Sequence, residues 1–65
     1  MIQINGEQQQ VQCPVTVAEL LKTLDIDFRR VAVEVNRVII KKADYENHQL
    51  SDGDAVEIVN FVGGG

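Results

Sequence analysis

The chain has 65 residues, a formal net charge of −4, one cysteine, one proline and no tryptophan. That is one domain, not two, and a domain of this size buries roughly 60% of the surface its unfolded chain exposes, which argues against a deep active-site cavity. Hydrophobic residues at 45% exclude an intrinsically disordered chain, and ten acidic against six basic residues argue against binding to a nucleic-acid backbone.

Met1-Ile2-Gln3-Ile4 reads as the start of a strand rather than a signal peptide, and no apolar run approaches the roughly 18 residues of a membrane span, so no membrane partner is expected. Ten valines and six isoleucines stand against four leucines, and β-branched side chains favour strands. Ile2 and Ile4 share one face, and Asn5-Gly6 is a strong hairpin signal. Val11 and Cys13 would then share the inner face of the returning strand, with Gln10 and Gln12 facing water. Val17, Leu20, Leu21 and Leu24 recur at i, i+3, i+4 and i+7, the stripe of an amphipathic helix over residues 17–25. Thr16-Val17-Ala18-Glu19 has the spacing of a capping box, which makes Thr16 the N-cap, and Pro14 sits just ahead, where extended chain turns into helix. Val31, Val33 and Val35 mark a third strand. Asn36-Arg37 turns it into a short strand, Val38-Ile39-Ile40. Residues 41–49 are polar and irregular, with room for one helical turn. Ser51-Asp52-Gly53-Asp54 is a tight turn into a last strand over residues 55–62, in which Val56 and Ile58 point one way while Glu57, Val59 and Phe61 point the other.

The last strand leads into Gly63-Gly64-Gly65. Glycine adds nothing to packing and costs roughly 1–2 kcal/mol per residue when its backbone is ordered, so folding gives no reason for three of them. A frayed or cloning-derived tail is the plain explanation. The functional one makes the carboxyl of Gly65 the reactive group. Three glycines without Cβ atoms reach on the order of 10 Å and pass through a narrow channel in a partner. A free carboxylate is a poor acyl donor, so the partner would have to activate it, most simply by adenylation.

Taken together, these features resemble the ubiquitin-like β-grasp carriers, and among them the sulfur carriers of thiamine biosynthesis. The residues that carry the resemblance are Thr16-Val17-Ala18-Glu19-Leu20-Leu21, Val33-Glu34-Val35-Asn36 leading to Val38-Ile39-Ile40, the Asp52-Gly53-Asp54 turn, Val56-Glu57-Ile58, and Phe61-Val62-Gly63-Gly64-Gly65. The resemblance implies an α+β fold: a ubiquitin-like β-grasp, with a mixed sheet of four to five strands and one main helix on one face over residues 1–62, followed by a flexible tail at 63–65. It further implies a protein that is no enzyme and binds no cofactor. An adenylating, E1-like partner would use ATP to convert Gly65 to an acyl-adenylate, and a cysteine-derived persulfide donor would turn that into a thiocarboxylate. Thiazole synthase would take the sulfur for the thiazole ring of thiamine. Gly63 and Gly64 would enter the partner's active site, and the free form would be a cytoplasmic monomer. The small molybdopterin synthase subunit has the same fold and ending and is usually longer.

The remaining residues attract plainer readings. Cys13, lacking a partner for an internal disulfide, fits a cytoplasmic protein and a small buried hydrophobe. His48 has no second His or Cys at ligand spacing, so no metal site is expected. Asp52 and Asp54 read as turn residues, and Arg29-Arg30 and Lys41-Lys42 as solvated edges. Val59, Phe61 and Val62 read as a partner-docking patch beside the tail. The competing reading packs Val59 and Phe61 under the loop of residues 41–49. Two rival functions are a protein modifier joined to lysines through Gly65 and an S4-type RNA-binding module, which would need a basic face.

Overall fold

In the computed structural model, which describes residues 1–61, the elements run β1 (Ile2–Ile4), β2 (Glu7–Gln9), β3 (Val15–Thr16), α1 (Val17–Thr23), β4 (Val31–Val35), β5 (Val38–Ile40), β6 (Gln49–Leu50) and β7 (Ala55–Asn60), with 3₁₀ turns at Phe28–Arg30 and Lys42–Asp44. Five strands form one mixed sheet in the order β2-β1-β7-β4-β5, and β3 pairs with β6 in a small second sheet. β1 and β7 are parallel; every other pairing is antiparallel.

Two hairpins at the sheet's edges come from local chemistry. Asn5 (φ 49°) and Gly6 (φ 85°) join β1 to β2, and Asn36 (φ 51°) and Arg37 (φ 71°) join β4 to β5. Positive φ at both central residues is the type I′ geometry, whose twist matches that of the flanking strands. Each asparagine also holds the central strand. The Asn5 side chain accepts from the N–H of Ile58 at 2.7 Å and donates to its carbonyl at 3.2 Å. Asn36 accepts from the N–H of Ala55 at 3.0 Å and donates to Asp54 Oδ1 at 3.0 Å.

The helix begins as the capping box requires. The N–H of Glu19 donates to Thr16 Oγ1 at 3.1 Å, and the N–H of Thr16 to Glu19 Oε1 at 2.9 Å. The two remaining first-turn donors, on Val17 and Ala18, reach the carbonyls of His48 and Tyr45 at 3.0 and 2.9 Å, so the loop before β6 completes the helix start. The helix ends two residues before the predicted limit of residue 25. Asp25 takes φ 59°, its N–H donates to the carbonyl of Lys22, and that of Ile26 to Leu21, the paired bonds of a Schellman motif. This turn brings Ile26 back against the core.

Val17, Leu20 and Leu21 pack with Ile2, Ile4, Val31, Val33, Val35, Ile40, Leu50 and Val56 between helix and sheet. Tyr45, 3% exposed, also belongs to this core and anchors the loop of residues 41–49, in which the single expected helical turn is the 3₁₀ turn. Two strand limits differ from the sequence reading. The returning strand stops at Gln9, because Gln9 pairs with Ile2, the first residue of β1, and the chain beyond has no partner. Val11 and Cys13 nevertheless pack partly against the core, and Gln10 and Gln12 are exposed. β7 stops at Asn60, opposite the first residue of β4, although the N–H of Phe61 still donates to the carbonyl of Arg30.

Asp27 caps the 3₁₀ turn before β4. The Arg29 guanidinium and then the Arg29 backbone N–H hold its carboxyl down from 3.8 to about 2. A folded-state pKa below the unfolded one adds stability that is complete above about pH 4 and is lost as pH falls through about 2. Asp27→Asn therefore melts below the native chain at neutral pH, and the gap narrows in thermal scans taken stepwise down to about pH 2. Thr16→Ala, which removes the N-cap, costs about 1 kcal/mol in urea unfolding.

Candidate docking face and tail

β7 has neighbours on both sides, so its alternation sorts its side chains cleanly between the two faces of the sheet. Val56 is buried and Ile58 partly buried on the helix side. Val59 and Phe61 lie on the other face, 53% and 51% exposed. From the loop of residues 41–49, Lys42 reaches this patch: its Nζ lies 5.2 Å from the centre of the Phe61 ring and donates to the carbonyl of Arg29 at 3.2 Å. That cation–π contact orients the ring and leaves half of it open to solvent. The loop does not bury Val59 or Phe61. Val62, Gly63, Gly64 and Gly65 lie outside the described residues.

The sequence reading missed a further apolar contributor. Ile39 is 71% exposed, and its cross-strand partner Glu34 stands in the row next to Ala32 and Val59. Ile39 alternates with the buried Ile40, so the period of two in Val38-Ile39-Ile40 already contained the signal. Lys42, read as part of a solvated edge, is exposed and in addition lies over the Phe61 ring. Arg29 is paired with Asp27 at 3.0 Å and remains largely exposed.

Other candidate side chains have structural duties. The Cys13 thiol is half-buried and donates to the carbonyl of Val11 at 3.7 Å. Desolvation pushes its pKa up, with the Asp52 carboxylate adding to the effect, so it is a weak nucleophile near neutrality. Asp52 pairs with the α-amino group of Met1 at 2.8 Å, and that hydrogen bond is the main cause of its lowered pKa. Asp54 accepts from the N–H of Ser51 and from Asn36, closing the turn that leads into β7. Among the described residues no group of three His, Cys, Asp or Glu side chains is placed to hold a metal ion, and no helix is long and apolar enough to cross a membrane. The exposed face of β4 and β7 carries Glu34 and Glu57, the wrong charge for a surface directed at phosphates.

Comparison with known proteins agrees with this geometry. The crystal structure of a thiamine biosynthesis protein, ThiS, from Geobacter metallireducens superposes with a TM-score of 0.85 at 33% identity, covering 98% of this chain and 97% of that one. The chain is 39% identical to the sulfur carrier protein ThiS of Bacillus subtilis over the whole of both proteins. It is also 47% identical over 62 residues to a thiazole synthase of Paramagnetospirillum magneticum, where it spans 95% of its own length but 19% of that protein. The model of the ThiS family matches residues 2–65, which takes in the helix stripe, the sheet and the three glycines. The fold is thus the ubiquitin-like β-grasp with five strands in its main sheet, and the chain belongs to the ThiS family.

Proposed function

We propose that the protein is a sulfur carrier of thiamine biosynthesis whose β-grasp domain is the recognition handle and whose Gly65 carboxyl is the reactive group. The observation that carries this reading is the family match across residues 2–65, with the glycines included. The exposed Val59 and Phe61, four and two residues ahead of Gly63, support it. An adenylating, E1-like partner supplies ATP. The Gly65 carboxylate attacks the α-phosphorus, pyrophosphate leaves, and an acyl-adenylate forms. The terminal sulfur of a cysteine-derived persulfide then attacks the acyl carbon and displaces AMP. Thiol cleavage of the resulting acyl disulfide leaves a thiocarboxylate. In this scheme the chain is a co-substrate working in the cytoplasm beside the ATP-dependent enzyme, and Gly63 and Gly64 thread the active site.

Thiazole synthase is the acceptor. The similarity of this chain to about a fifth of two thiazole synthases, from Paramagnetospirillum magneticum and Magnetococcus marinus, supports that assignment. Joining a carrier-like segment to an acceptor raises the effective concentration of one at the other. The same similarity favours the thiazole route over a molybdopterin-type one. Val59, Phe61 and Val62 form the docking patch, with Val59 and Phe61 as half-exposed apolar anchors that a partner would desolvate.

Two measurements test this reading. Incubation with the adenylating enzyme, ATP and a persulfide donor is followed by fragment mass spectrometry. Replacement of one oxygen by sulfur at Gly65, resolved from oxidation of Met1 or Cys13, is the expected result; an unaltered carboxylate overturns sulfur transfer. The V59A/F61A pair should fold normally and bind the adenylating enzyme at least tenfold more weakly. Unchanged affinity removes the patch from the interface.

A further inference from the structure

The backbone ladder that holds the last strand ends at Asn60, opposite Val31. Phe61, two residues ahead of Gly63, keeps two further ties. Its N–H donates to the carbonyl of Arg30 at 2.8 Å, and its ring lies under the ammonium of Lys42. That ammonium is itself anchored, because it donates to the carbonyl of Arg29 at 3.2 Å. Lys42 opens the 3₁₀ turn of the 41–49 loop, while Arg29 and Arg30 close the one before β4. One side chain thus joins three segments remote in sequence at the point where residue 62 begins. Folding gives little reason for it. Lys42 is exposed, and a held surface lysine loses about as much rotamer freedom as one exposed cation–π contact and one hydrogen bond return.

We propose that Lys42 is a positioning residue of the carrier: by tying the Phe61 ring to the turn at Arg29, it fixes the direction in which the glycines leave the domain. The inference rests on the sulfur-carrier reading and adds to it a residue that acts through Phe61 and touches none of the reacting atoms. A chain threaded into an active site surrenders the freedom of every rotatable bond between the domain and the reacting carbon. Glycines surrender the most, and stiffening them with side chains would defeat their passage through a narrow channel. The place left for restricting the chain beforehand is its root, where Phe61 still offers a ring to hold. An error of direction there is carried to Gly65, up to about 14 Å further on at full extension. Lysine suits the task, since its long stem reaches the ring from another element and its ammonium keeps donors for the carbonyl.

The test uses the full chain as Lys42→Met, Lys42→Arg, Phe61→Leu and the double variant Lys42→Met with Phe61→Leu. Lys42→Met should melt within about 3 °C of the unaltered chain, as an exposed substitution does. Its Phe61 amide should lose order in ¹⁵N relaxation. In carrier-dependent ATP–pyrophosphate exchange with the adenylating enzyme of the same organism, its KM should rise about fivefold with little change in kcat. Lys42→Arg should restore the native KM, because a guanidinium also lies over a ring and donates. In the Phe61→Leu background, Lys42→Met should have no further effect, since the ring through which it acts is gone. Additive losses overturn the proposal by placing Lys42 in direct contact with the enzyme. An unchanged KM, an unchanged Phe61 amide, or Lys42→Arg behaving like Lys42→Met also overturns it. A melting temperature many degrees lower does so by giving Lys42 a folding role. Absence of exchange with the unaltered chain would instead defeat the carrier reading, and this inference with it.

Discussion

The structure depends on the parallel pairing of its first strand with its last. A parallel ladder cannot be closed by a hairpin; it needs a long crossover, and here the helix, the β4–β5 hairpin and the loop around Tyr45 all lie inside that single connection. The ladder itself is short, with Gln3 beside Ala55 and Ile4 beside Val56. Asn5 extends it, because its side-chain amide bonds both the N–H and the carbonyl of Ile58 as a further strand residue would. At about 0.5–1.5 kcal/mol per bond these are small terms, but they act where β1 has run out of backbone. The result is a last strand held on both edges, whose end is placed by the whole domain.

The two sheet edges are guarded differently. β2 presents Glu7, Gln8 and Gln9, polar groups that discourage another strand from pairing. β5 presents Val38 and Ile39, both well exposed, on a strand only three residues long with Arg37 before it and Lys41 after. Shortness and flanking cations limit strand addition along that edge, which leaves the side chains of the outer face, rather than the backbone edge, as the usable surface. Single exposed apolar residues are ordinary. Ile39, Val59 and Phe61 differ in being gathered on one face of one sheet, with Phe61 held in place by Lys42.

Much of this was legible in the residues because the signals were local. The capping box needs only Thr16 and Glu19, each type I′ turn an asparagine and its successor, and the inward faces of β4 and β7 a period of two. What was not legible depends on partners remote in sequence. The limit of β2 is set by where β1 begins, and the limit of β7 by where β4 begins. β3 and β6 are two-residue strands too short to carry a pattern of their own, and each is a strand only through its pairing with the other. Tyr45, alone among polar neighbours, gave no periodic sign that it would be buried. The candidate site divides along the same line. Exposure of Val59 and Phe61 followed from alternation, whereas the opposition of Glu34 and Glu57 appears only once the register of β4 against β7 is known.

On the proposed function, the carrier leaves one enzyme to reach the next, and that sets a physical limit on its own interface. Large, dry contact areas slow dissociation, and a domain of this size has little surface to spare for two such areas. Affinity built from a few apolar anchors, with charges that speed the encounter, gives fast association without slow release. The outer face has that composition: the exposed apolar side chains of Ile39 and Val59, the half-exposed ring of Phe61 with a lysine over it, and two carboxylates, Glu34 and Glu57. The stability of the domain comes from the opposite face, where the helix covers the sheet. Substitutions on the outer face can therefore be made while leaving the core untouched.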